Sequence, residues 1–253
     1  MAKTVRTTLT IGRLAVDVLD FSGAVRRIVD LAREHRAAYV VTPNADHVVR
    51  AQTDAEFVAI AQGADLSVAD GMPLVWASRF LGQRLPQRVT GADLLPAICA
   101  EAAKQRMTVY LFGGLPGEAE LASQRLEASC PGLLVVGCYC PPFGFEHNQE
   151  LCQQIVTQIN AVHPDFVFVG VGSPKQELWI ARWRSELRCG VLLGVGIAIA
   201  FVAGTVRRAP RWMQVTGTEW LFRLVSEPRR LLRRYLHDVT FVAIVWRQMR
   251  RKH

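Results

Sequence analysis

Short apolar runs recur along the chain, each followed by a longer amphipathic stretch. Tyr39–Thr42, Leu66–Ala69, Thr108–Phe112, Leu133–Gly137, Phe166–Val169 and Val191–Val195 are almost wholly apolar. They lack the alternation of a half-solvated strand, so they predict strands buried on both faces. The segments Phe21–His35, Asp54–Gln62, Met72–Leu81, Ala92–Arg106, Gly117–Ser129, Gln149–Val162 and Lys175–Leu187 space their apolar residues as helices do. Strand and helix alternate for about 200 residues, which argues for an α/β fold with an open, mostly parallel sheet and helices on both faces. The residues up to about Asp17 predict a hairpin or edge strand. Cys189–Val206 is the longest uncharged stretch, but its glycines at 190, 194, 196 and 204 read as a buried strand, a loop and a short helix rather than a membrane span.

In such a sheet, ligands bind outside the carboxyl ends of the strands. Five loops then share one rim: Pro43–His47, Asp70-Gly71, Gly113-Gly114, Gly170–Glu177 and Gly196. Asp70 is either a general base, or acceptor for a sugar hydroxyl, or the N-cap of the helix from Met72. Gly113-Gly114 enters a helix and either offers N–H groups to a phosphate or makes a tight turn. It is neither GxGxxG nor a P-loop. In Gly170–Glu177, Ser173 and Gln176 fit a capping box and Pro174 a first helical position. That leaves Lys175 and Glu177, with the close backbone approach at Gly172, to suggest a ligand. Arg88 lies in a polar connection from which it could reach a diphosphate, and Thr90 or Asp93 could cap the next helix. No His spacing or DxD motif suggests a metal.

Composition adds little until charge is located. The formal net charge is +8. Arg207 to His253 holds twelve Lys/Arg against three acids, so the body is nearly neutral and the tail carries the excess. Over residues 229–249 the arginines (Arg229, Arg230, Arg233, Arg234) face away from the apolar and aromatic side, giving a basic amphipathic helix suited to a membrane surface. Such a helix could instead pack on the core with its basic face solvated. The six cysteines contain no CxxC pair, and no signal peptide opens the chain, so reduced, mostly buried thiols in the cytoplasm are expected.

Taken in order, several blocks resemble the WecG/TagA/CpsF glycosyltransferases, glycosyltransferase family 26. They are Thr42-Pro43-Asn44, Ala69-Asp70-Gly71, Arg88–Leu94, Leu111–Gly114, Val169–Glu177, Gly194-Val195-Gly196, Arg208-Ala209-Pro210, Gly217–Leu221 and Glu227–Leu231. The resemblance spans about Thr42 to Tyr235. It implies a Rossmann-like core over 1–205 and a membrane- and acceptor-binding appendage over 206–253. It further implies inverting, metal-independent transfer of an N-acetylmannosaminyl, N-acetylmannosaminuronyl or glucosyl group. The donor would be a UDP-sugar, with no cofactor. The acceptor would be a polyprenyl-diphosphate-linked sugar on the inner face of the cytoplasmic membrane, for cell-surface polysaccharide.

By the same resemblance Asp70 is the base, with Thr42, Asn44 and Gln176 lining the active site. Arg88 assists donor or acceptor, and Arg229, Arg230, Arg233 and Arg234 meet the membrane and the acceptor's diphosphate. Lys175 and the Gly113-Gly114 N–H groups are further candidates to stabilise the departing UDP. One segment departs from the family pattern: Gly196–Val202 has no acid where an aspartate is usual, which bears on donor recognition or local packing. The rival classes are a silent membrane-surface scaffold, a dinucleotide-binding oxidoreductase and a nucleic-acid-binding protein. The oxidoreductase lacks GxGxxG, and the body carries no basic stripe for nucleic acid.

Overall fold

A computed structural model describes residues 6–226 and 239–251. The basic segment with Arg229, Arg230, Arg233 and Arg234 lies outside the described residues. Two strands, β1 (Thr8–Ile11) and β2 (Leu14–Asp17), form an antiparallel hairpin. The other six are β3 (Ala38–Val41), β4 (Leu66–Ser67), β5 (Thr108–Gly113), β6 (Leu134–Tyr139), β7 (Phe166–Gly170) and β8 (Val191–Gly194). They make one parallel sheet in the order β4-β3-β8-β7-β5-β6. The α/β fold expected from the alternating pattern is the fold observed.

The apolar runs are apolar throughout because both faces of the sheet are covered. In β5, Val109 and Leu111 face one core, while Tyr110 and Phe112 face the other. Helices α1 (Phe21–Arg33), α5 (Gly91–Gln105), α6 (Glu118–Ser129) and α9 (Ala198–Ala203) cover the first face. Helices α7 (Gln149–Val162) and α8 (Lys175–Trp183) cover the second. The uncharged stretch is β8, a turn and α9, as its glycines suggested. Edge strand β6 begins one residue later than expected and runs to Tyr139. Gly137 there faces Tyr110, whose ring would lie 2.4 Å from a Cβ.

A third core joins the hairpin to α2 (Ala45–Arg50), α3 (Ala55–Gln62) and α4 (Met72–Ser78). The C-terminal helix Thr240–Arg250 closes it with Phe241 and Val245. Gln248 fixes that helix to the hairpin: its Oε1 accepts from Gly12 N (2.9 Å) and its Nε2 donates to Thr10 O (2.7 Å). Between core and tail lie α10 (Arg211–Thr216) and α11 (Glu219–Ser226). Among the described residues, no helix is long and apolar enough to cross a membrane.

Candidate active site

The carboxyl ends of β3, β4, β7 and β8 open on one side of the sheet onto a cavity of about 1060 Å³. Thr42, Asn44, Asp70, Arg88, Gly172 and Gln176 all line it. These residues are scattered in sequence but share the rim that a parallel sheet creates.

Asp70 is pinned by backbone hydrogen bonds on its own strand-end and the next. Its N–H donates to Pro43 O (2.7 Å), and Val89 N–H donates to Ala69 O (2.7 Å). Gly71 follows at φ +119° and is itself the N-cap of α4, with no side-chain cap. Of the two readings of Asp70, the helix cap therefore falls away, and its carboxylate belongs to the cavity.

The segment after Thr42, expected as a loop, forms α2. Its cap is reciprocal: Asn44 Oδ1 accepts from His47 N–H, and His47 Nδ1 accepts from Asn44 N–H, both at 3.1 Å. This fixes the imidazole, whose Nε2 lies 2.6 Å from Ser173 Oγ and 3.8 Å from Glu177 Oε1. Ser173 is thus not a helix cap; Pro174 occupies that position without a side-chain bond. Gln176 is buried and used twice. Its Nε2 donates to Glu177 Oε1 (2.7 Å), and its Oε1 accepts from Gly196 N–H (3.0 Å). Thr42 Oγ1 donates to Gly194 O (3.3 Å), tying β3 to β8 across the cavity floor.

Two cavity residues, Arg88 and Glu219, interlock with Asp93 and Arg208, which do not themselves line the cavity. Arg88 Nη1 donates to Glu219 Oε2 (3.0 Å), and its Nη2 lies 3.6 Å from Asp93 Oδ2. Arg208 Nη1 lies 2.7 Å from Asp93 Oδ1, and its Nε 3.7 Å from Glu219 Oε1. Burial opposes the Arg208 charge. The Asp93 hydrogen bond and the charges of Asp93, Glu219 and Asp70 outweigh burial and raise its pKa. Burial likewise opposes the Asp93 carboxylate, but Arg208, Thr90 and Arg88 hold its pKa below the ordinary value. Thr90 caps α5, accepting from Asp93 N–H (3.1 Å).

Over residues 9–253 the sequence matches the model of the WecG/TagA/CpsF family of glycosyl transferases. The chain belongs to that family. It is also 28% identical, over 217 residues, to a Bacillus spizizenii N-acetylglucosaminyldiphosphoundecaprenol N-acetyl-beta-D-mannosaminyltransferase. The alignment covers 86% of this chain and 82% of that protein. The family match extends beyond the span of the motif blocks at both ends.

Not every residue singled out in this WecG/TagA/CpsF member reaches the cavity. Lys175 turns away, pairing with Glu146 (2.7 Å) over the Phe143 ring (4.3 Å). Glu177 is buried behind Gln176 and His47. Gly113 and Gly114 do not line the cavity. Gly114 N–H is spent on Gly170 O (3.2 Å) and Leu115 N–H on Glu118 Oε2 (2.8 Å), so the turn holds a carboxylate of its own. Sequence reasoning passed over His47, Arg208 and Glu219, and took Ser173 for a cap where it instead meets His47. Arg208 and Glu219 stood in the motif blocks, but nothing local pairs Arg88 with a residue 131 positions on. Among the described residues, no three His, Cys, Asp or Glu side chains come together to hold a metal ion, and all six cysteines are free thiols.

Proposed function

We propose that this protein transfers a hexosyl group, with inversion and without a metal, from a UDP-sugar to a polyprenyl-diphosphate-linked sugar. An N-acetylmannosaminyl group is the first choice, because the Bacillus spizizenii relative is named for that transfer. The observation that carries the reading is the placing of Asp70 in one cavity with Thr42, Asn44, Arg88 and Gln176. Asp70 accepts the proton of the acceptor hydroxyl as its oxygen bonds to the anomeric carbon. The bond from that carbon to the UDP oxygen breaks, and UDP leaves with the electron pair. Arg88, held in place by Glu219 and Asp93, presents its guanidinium to the departing diphosphate, while Arg208 behind it offsets the charge of the two acids. The hydrogen bonds of Gln176 to Gly196 and of Asn44 to His47 fix those groups, as Glu219 and Asp93 fix Arg88, so the polar groups are placed before substrate arrives. The basic tail, including Arg229, Arg230, Arg233 and Arg234, would hold the enzyme on the cytoplasmic membrane surface where such an acceptor resides.

The test is UDP release from a panel of UDP-sugars, with polyprenyl-diphosphate N-acetylglucosamine in vesicles and a chelator present. Release with one donor supports the reading. Release that needs an added divalent ion contradicts its metal-independent part, and no release with any donor contradicts the whole.

A further inference from the structure

The cavity has two characters. Its floor is polar, but its outer wall is built from Trp76, Phe80, Trp220, Val242 and Trp246. These side chains are also strongly exposed: Trp76 is 40%, Phe80 64% and Trp246 50% accessible. A soluble surface scatters such residues singly; here they gather at one mouth. The first two belong to α4 and the turn after it, within the α/β core and not in the basic tail. Gly217, at φ +78°, ties the two regions together: a Cβ there would come 2.6 Å from Met72 Cγ and 3.0 Å from Trp76 Cζ2. The α10–α11 turn therefore lies directly on α4.

Exposed arginines stand near several exposed aromatics of this region, in sequence or in space. Arg79 and Arg84 flank Phe80, Arg211 adjoins Trp212, and Arg250 stacks on Trp246 at 3.6 Å. No carboxylate among the described residues pairs with Arg79, Arg84 or Arg211. Aromatics with arginines around them suit a lipid interface, where rings enter the acyl boundary and guanidiniums meet anionic headgroups. A second copy of a chain with net charge +8 would bring like charges together. The isoprenoid chain of an acceptor whose diphosphate is met at Arg88 would leave Arg79 and Arg84, which do not line the cavity, without a role.

We infer that α4 and the turn after it, through Trp76, Phe80, Arg79 and Arg84, form a second docking element for an anionic bilayer, separate from the basic tail. The consequence is positional. Asp70 lies two residues before α4, and Asp70 and Phe80 line the same cavity. Docking α4 would therefore set the cavity mouth on the lipid surface. The inference shares the membrane of the proposed function but does not depend on its chemistry.

The test uses the full chain and sedimentation with phosphatidylglycerol and phosphatidylcholine vesicles. Phe80→Ser and, separately, Arg79→Glu/Arg84→Glu are compared with the unaltered protein. Thermal unfolding checks that each variant folds, and the charge-reversal pair touches only exposed side chains. Phe80→Ser should lower partition onto phosphatidylglycerol vesicles by about tenfold and the charge reversal by about thirtyfold or more, and the charge reversal should matter little on phosphatidylcholine. Unchanged partition in both variants would overturn the inference, with the tail then acting alone. Unchanged partition with a raised KM for long-chain acceptors only would give this wall to the acceptor's tail instead. A change in sedimenting mass without vesicles would give it to a second copy. Failure of UDP release leaves the partition result standing, so the two readings fail separately.

Discussion

Glu219→Ala removes one corner of the cluster that fastens α11 to the core. Its Oε2 accepts a charge-assisted bond from Arg88 at 3.0 Å, and its Oε1 faces Arg208 Nε at 3.7 Å. The three side chains are only 16%, 18% and 22% exposed for Arg88, Glu219 and Arg208, so water screens them weakly. A hydrogen bond to a charged group contributes about 1.5–3 kcal/mol, and the longer contact adds under about 1 kcal/mol. The alanine variant also leaves two guanidiniums against Asp93 alone. A loss of about 2–4 kcal/mol follows. Glu219→Gln keeps an acceptor for Arg88 and should lose about half of that. Urea unfolding followed by circular dichroism measures both. The alanine variant should also bind UDP a fewfold more tightly at low salt, because the wall gains net positive charge. Alanine stability within about 0.5 kcal/mol of the unaltered protein would refute the argument, because α11 would then not be held by this cluster.

Two further outcomes follow from geometry. Gly113→Ala places a Cβ 2.5 Å from the Gly170 carbonyl at φ +124°, so it should lose several kcal/mol or fail to fold, as thermal unfolding would record. Asp93 has a folded pKa below its unfolded value. Its stabilising share is present in full above about pH 4 and is lost as pH falls through the folded value. Acid titration of Asp93→Asn should therefore show a lower plateau at neutral pH and a shallower acid limb.

The sheet was legible because its strands are buried on both faces, which leaves unbroken apolar runs such as Phe166–Val169. The short helix α2 was not. Six residues give too little periodicity, and Pro43-Asn44 looks like a loop, although Asn44 is a good N-cap. In Gly170–Glu177 the capping-box spacing misled: Ser173 turns to His47 and Gln176 to Gly196, both contacts far in sequence. The Gly113-Gly114 turn resembled a phosphate cradle, but its glycines serve a close approach to Gly170. Asp70 could be singled out from its place just after a strand, and Arg88 from its polar connection, whereas Thr42, Asn44 and Gln176 were picked out by the family resemblance. Arg208 and Glu219 could not be, since their partners are set only when the segment after α9 folds back. The aromatics of α4 read as ordinary helical spacing; only exposure separates them from core.

The proposed transfer turns on Asp70 taking the acceptor's proton. UDP release by Asp70→Asn, with the donor that works for the unaltered protein, tests it most directly. The carboxamide keeps the shape and no longer takes up a proton, so turnover should fall about 10²–10⁴-fold while UDP affinity changes little. Turnover within a fewfold of the unaltered protein would contradict the account and move the base elsewhere in the cavity.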